Sequence, residues 1–394
     1  GQNGNSVTIT IQNNASLTMP TNTLNLHNIT RSTAVSTLRL NGGILTVNGF
    51  TKSQNYTNVI IFNGGVLKAS APVGTMSLPN FFPVNSWQTA YVQSGGAIID
   101  DGNRMVSITQ SLVHDPTLGA TLDGGLIKLG SGALALEGLN TFTGPTKILA
   151  GILLCRPGAI TNAASIYIAS GAEMDTQVSG TFTLTPGRTL SGNGNFNGDF
   201  ILGAGAMLAP GTNGTGRFTF IRPTTFAAGS TNLMELNKTA LTNDSVNAWQ
   251  SLTLGGTLIV TNLSGTLAAG DSFKLFDAVG FSGSFNTVIL PVLDAGLAWT
   301  NQLSTSGTIA VISTAPANLP VFGGVFAAGN NLVMSGSNGT PNASFYTLTA
   351  TNVTLPVANW SRVATNQFDA NGYFNLTNPV DPATPQLFYR LQMP

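Results

Sequence analysis

Hydrophobic and polar residues alternate along this chain in short bursts. Val7, Ile9 and Ile11 share one face of a run, as do Leu24 with Leu26 and Leu38 with Leu40. A period of two marks a half-buried β-strand, and nothing of length carries the wider spacing of a helix. Gly-Gly pairs followed by aliphatic residues punctuate the bursts at Gly42-Gly43, Gly64-Gly65, Gly95-Gly96 and Gly124-Gly125, with separations of 22, 31 and 29 positions. Glycine suits a corner that needs positive φ or close backbone stacking. Asn41 and Asn63, which precede two of the pairs, also tolerate the left-handed region. An irregular period of this size predicts the coils of a β-solenoid with loops of variable length.

The pattern is densest from Asp123 to Leu154. Strands are predicted at Leu126–Leu129, Ala133–Leu136 and Thr146–Leu149, with a Gly-Ser-Gly turn after the first and the polar corner Asn140-Thr141-Phe142-Thr143-Gly144 before the third. Strands this short fit one side of a coil. The ordered set Gly125, Leu126, Lys128, Gly130, Gly132, Leu134, Leu136, Gly138, Asn140, Phe142, Thr143, Gly144, Thr146, Ile148, Gly151 and Leu153 resembles the autotransporter-associated β-strand repeat. Leu190, Gly192, Gly194, Gly198 and Ala209-Pro210-Gly211 resemble the continuation of such passengers. The resemblance implies an extracellular, right-handed parallel β-helix of bacterial origin, and leaves open what the helix touches. Passengers of this kind precede a membrane β-barrel, whereas this sequence ends in FYRLQMP. The expectation is therefore a different secretion route or a separate barrel.

The expected domains are a solenoid over residues 1–315, with an aromatic and proline-rich insertion at 71–89, and a module over 316–394. The stretch Ser313–Pro320 has the proline and small residues of a linker. Beyond it, short strands separated by Asn330-Asn331, Ser337-Asn338-Gly339 and Asp369 to Gly372, with Trp360 in a strand, predict a small β-sandwich of immunoglobulin or fibronectin-III type. The ending also resembles a C-terminal module of secreted Verrucomicrobia-type proteins. The fold class expected for the whole chain is all-β.

Composition narrows the function. Charged residues make up 8% of the chain, against ~25% in ordinary soluble domains. Hydrophobic residues at 42% supply a core, which excludes disorder. Fifteen basic residues balance fifteen acidic ones, so no electrostatic footprint for nucleic acid or an anionic membrane is present. No apolar run reaches the ~18 residues of a transmembrane helix. The strand-like SVTITI near the start reads as a processed, mature chain. Cys155, the single cysteine, excludes an internal disulfide and reads as a small buried hydrophobe, with an intermolecular cross-link as the alternative.

Catalytic chemistry is sparse. His27 and His114 are the two histidines, the latter read as a loop residue beside Asp115-Pro116, and no G-x-S-x-G elbow accompanies them. The carboxylate pairs are Asp100-Asp101, read as a turn, and Glu173 with Asp175, which share the solvent side of a strand whose Met174 points inward. Ser191 to Asp199 superficially suggests a calcium repeat but carries asparagine where aspartate is needed, and reads as a turn. Sequons at Asn14, Asn237 and Asn342 are expected by chance in so Asn- and Thr-rich a chain. No cofactor or metal is expected. The leading expectation is a secreted, extracellular or cell-surface structural protein without enzymatic activity. It assembles head-to-tail as a homopolymer, the edge at Val7, Ile9 and Ile11 of one copy meeting the late solenoid or C-terminal module of the next, or mediates adhesion. The alternative is a glycan-binding or polysaccharide-processing β-helix, with Phe81, Phe82, Trp87 and Tyr91 as the ligand-contact loop.

Overall fold

The computed structural model describes residues 6–24, 35–51, 57–84, 88–156, 158–160, 162–211, 214–314 and 319–394. His27 and Trp87 lie outside the described residues. The chain divides into two compact units, 1–313 and 314–394. Among the described residues the only helical elements are three single 3-10 turns, so the protein is all-β.

The first unit is a parallel β-solenoid. Each short strand turns alternate side chains inward, and one coil alone cannot bury them, so coil stacks on coil and the backbone hydrogen bonds run between coils. Strand β1 (Val7–Leu24) pairs in parallel along β2 (Val35–Phe50). The first half of β2 pairs with Thr57–Phe62 and its second half with Val66–Ala69, so this one long strand feeds two ladders. It bends between them at Gly42-Gly43, where φ is 87° and 70°. Asn13, with φ 57°, stacks on Gly42 from the coil before.

The second of these ladders continues through Ala97–Asp100, Leu126–Leu129, Thr146–Ile148 and Ser165–Ile168 as far as Thr287–Ile289. Another begins at Ser77–Phe82 and runs through Met105–Ile108, Ala133–Leu136 and Ile152–Cys155. Coil length varies at the corners: a coil takes 32 residues between the paired Val66 and Ile98 but 18 between Ser191 and Ala209. The strands predicted at 126–129 and 133–136 form with those bounds, and the third forms at Thr146–Ile148.

Inside, side chains follow one another in register. Leu67, Ile99, Lys128, Ile148 and Ile168 make one such file, all buried. Full burial of each aliphatic member is worth ~1.5–3 kcal/mol. Later coils are filled by phenylalanines, with Phe196–Phe200 and Phe200–Phe220 ring centroids 4.9 Å apart. The segment read as a turn at 191–199 contains a strand of its own, Asn195–Asn197, because Phe196 is needed in this stack. Ser272–Lys274, Thr308–Ser313 and Leu297–Gln302 pair antiparallel instead, in a three-stranded sheet over the same core.

The second unit holds two antiparallel three-stranded sheets. One joins Val321–Ala328, Asn331–Ser337 and Phe374–Pro379; the other joins Ser361–Gln367, Ser344–Ala350 and Phe388–Gln392. Their core is Met334, Phe345, Phe368, Phe374 and Leu376. Trp360, expected within a strand, instead ends a 3-10 turn, half-buried, and donates its indole N–H to the Leu355 carbonyl. Stacked Phe345 and Phe368, 4.3 Å between centroids, take the central place.

Candidate functional site

The polar side chains with the most elaborate surroundings sit at the coil corners between residues 97 and 160. Lys128 lies two positions after Leu126 on its strand and so shares its inward face. Its ammonium, fully buried, lies 2.5 Å from Asp101 Oδ2 and donates to the carbonyls of Gly130 and Ala150, both at 2.9 Å. The other oxygen of Asp101 accepts from the backbone N–H of Asn103 and of Gly132. Burial pulls the Lys128 ammonium below its ordinary pKa, with Asp101 opposing. Asp100, by contrast, pairs at the surface with Lys68 at 3.0 Å. Asp100 and Asp101 thus pair with two different lysines, the first at the surface and the second in the interior.

A second corner joins His114 to Asp123. His114 ends the strand Leu112–His114 rather than lying in a loop. Its Nδ1 is 2.8 Å from Asp123 Oδ2 and its Nε2 is 3.1 Å from the Gly119 carbonyl. Acceptors on both nitrogens favour the doubly protonated ring. The hydrogen bond to Asp123 raises the imidazole pKa, partial burial opposes it, and the Gly119 carbonyl adds to the rise. Burial works to raise the Asp123 carboxyl, but N–H donation from Thr143, His114, Gly144 and Gly125 outweighs it and holds the acid below its usual range. Thr143 Oγ1 lies 3.2 Å from the same Nδ1 that faces Asp123. A hydrolytic triad needs the nucleophile and the acid on opposite ring nitrogens. These groups cannot act as one.

Asn140 makes the third corner. It accepts from Leu112 N at 2.7 Å and donates to the carbonyls of Gly138 and Ala159, tying its coil to the coils on either side. Sequence reasoning placed Lys128, Asn140 and Thr143 in the repeat but assigned them no partners. The period of two around Lys128 was the available signal that its side chain turns inward.

Other acids of the solenoid are engaged as well. Glu173 and Asp175 share the outer face of their strand with Met174 inside, and Asn197 donates to both, at 3.0 and 3.3 Å. Asp244, next to Glu235 in a cavity of about 220 Å³, is pushed up to about 7 by burial against the opposing N–H groups of Gly216 and Glu235. Those same two N–H groups occupy one oxygen each, at 2.7 and 2.8 Å. The cavity is smaller than the ~300–1,000 Å³ of ordinary ligand sites. Cys155 is buried, and its thiol is pushed up by that burial.

The expected ligand-contact loop is corrected. Ser77–Phe82 is a solenoid strand, and Phe81 and Phe82 are 1% and 0% exposed, packed against Phe50. Tyr91 is half-buried on the neighbouring ladder. Of the expected assembly edge, Val7 and Ile9 are 53% and 42% exposed, while Ile11 is buried against the coil beneath, in register with Leu40.

A family model described as the passenger-associated-transport-repeat matches residues 126–154, the segment that carries Lys128, Asn140 and Thr143. Over 234 residues, 57% of the chain, the sequence is 30% identical to the Adhesin BmaC autotransporter of Brucella suis biovar 1 (strain 1330). The chain is an autotransporter-passenger-like β-solenoid. The alignment spans 6% of that relative's length. In this passenger-like solenoid Lys128 and Asn140 of the repeat bond neighbouring coils together, while Leu126, Leu134, Ile148 and Leu153 point inward. Among the described residues no helix is long and apolar enough to cross a membrane.

Proposed function

We propose that this passenger-like solenoid is the exposed, adhesive part of a secreted bacterial surface protein and performs no catalysis of its own. The observation that carries this reading is the repeat at 126–154, whose Lys128 and Asn140 side chains are spent on bonds between coils. The relative that bears the name adhesin adds support. In this reading the coils wind right-handed, as parallel crossovers do, and the unit 314–394 is a small β-sandwich carried alongside. Beads coated with the chain should adhere to animal-cell or matrix-coated surfaces more strongly than beads coated with an unrelated β-solenoid. Equal adherence of the two would sink the proposal.

Self-association is a second proposal, favoured by β1. Val7 and Ile9 belong to the inward file of their coil, yet among the described residues no strand pairs beyond them. Such an edge accepts a further parallel strand. In the proposed polymer a second copy supplies that strand, and a heterologous contact of this kind grows as an open filament. Electron microscopy over a concentration series should show fibres for the native chain and isolated rods for Val7→Asp/Ile9→Asp. Rods for both, or fibres for both, count against it.

A further inference from the structure

The second unit carries an open surface hollow of about 810 Å³, several times larger than those in the solenoid corners and within the ~300–1,000 Å³ range of small-ligand sites. Its lining is polar and almost uncharged: no lysine, arginine or histidine contributes, and Asp369 is its one acid. The polar groups there have hydrogen-bonding capacity to spare. Gln367 Nε2 donates to the Asn342 carbonyl at 2.7 Å, which fixes the amide and leaves its Oε1 unengaged. Asp369 Oδ1 accepts from the N–H of Asn371 and of Tyr373, both at 2.8 Å. That pins the carboxylate and leaves Oδ2 open. Among the described residues the side chains of Asn342 and Asn375 find no hydrogen-bond partner. Tyr373 stands beside them, 57% exposed, its ring offered to whatever enters.

We propose that this cavity binds a neutral glycan. Vicinal hydroxyls both donate and accept, and they match a set of amides and one fixed carboxylate better than a charged or purely apolar ligand does. The carbon-bound face of a sugar ring packs on an exposed aromatic such as Tyr373. With one carboxylate and no cation in the lining, sulfated and uronic-acid glycans meet repulsion and are discriminated against.

The test is calorimetric titration of the full chain with short cello-, manno- and xylo-oligosaccharides, alongside oligogalacturonate as the acidic counterpart. Saturable binding of at least one neutral oligosaccharide is expected, and little or none of oligogalacturonate. Tyr373→Ala should weaken it about tenfold, a loss of ~1.4 kcal/mol, and Asn375→Ala should weaken it several-fold. Among the described residues neither side chain has a hydrogen-bond partner, so both variants should keep the native melting temperature. No saturable neutral binding overturns the inference, as does binding unaltered in both variants or preference for the acidic sugar. This outcome is separable from the adhesion assay. Beads that adhere without binding any neutral sugar defeat the cavity proposal alone, whereas sugar binding without adherence defeats the adhesion proposal alone.

Discussion

Lys128 and Asp101 form an ion pair that is wholly enclosed, 2.5 Å apart, between one coil of the solenoid and the next. An ammonium among isoleucines is tolerated only because every proton finds an acceptor. Replacing Lys128 by Met keeps the volume and strands the Asp101 carboxylate. The expected loss is ~3–5 kcal/mol, read as a lower urea midpoint. Adding Asp101→Asn removes the stranded charge and should recover part of that loss.

The His114–Asp123 corner makes stability depend on pH with a defined sign. His114 has a raised folded-state value, so its contribution is complete below the ordinary ~6.5 and fades as pH rises through the raised value. Asp123 lies below its ordinary value, so its share is present above 3.8 and fades only as pH falls through the depressed value. Asp244, at about 7, adds a decline of its own as pH climbs from 3.8. Thermal midpoints measured from about pH 5 to 9 should fall on the alkaline side, and the difference between native chain and His114→Gln isolates the histidine's part. A constant difference across that range would contradict the assignment.

Asn140→Ala removes three bonds at once and leaves Leu112 N–H without its partner. Each buried group so orphaned costs ~1–3 kcal/mol. Hydrogen exchange should show new opening at Leu112 and around Ala159, the two places Asn140 reaches, and little change in the unit 314–394.

Phe81→Ala tests the corrected placement of the aromatic pair. A core phenylalanine truncated to alanine costs ~3–5 kcal/mol. Molecules that remain folded should show adherence equal to that of the native chain. Selective loss of adherence at unchanged stability would return Phe81 to a contact surface.

Much of the solenoid was legible because its interior obeys a strict local rule. Leu126, Leu134 and Leu153 declare their orientation by alternation alone, and Gly42-Gly43 declares the corner. Partners across coils were not legible. Asp101 and Lys128 are 27 positions apart, and coil length changes from one turn to the next, so sequence spacing does not say which side chains stack. Phe81 and Phe82 misled for a related reason. Surrounding prolines disguised a strand whose neighbours lie in the coils before and after it, at Phe50 and Ile108. The cavity by Tyr373 was invisible because turn residues, read as punctuation, form its wall.

Three polar corner clusters brace the coils that run from Asp100 to Ile160, and further cross-coil polar bonds, Asp244 to the Gly216 N–H and Lys238 to Asp271, lie beyond them. Resistance to rupture is thus uneven along the solenoid. In the proposed adhesive role, coils under tension would part first where such bonds are sparse and halt at a braced corner. Length is then given up gradually, and the attachment outlasts the first strands to yield.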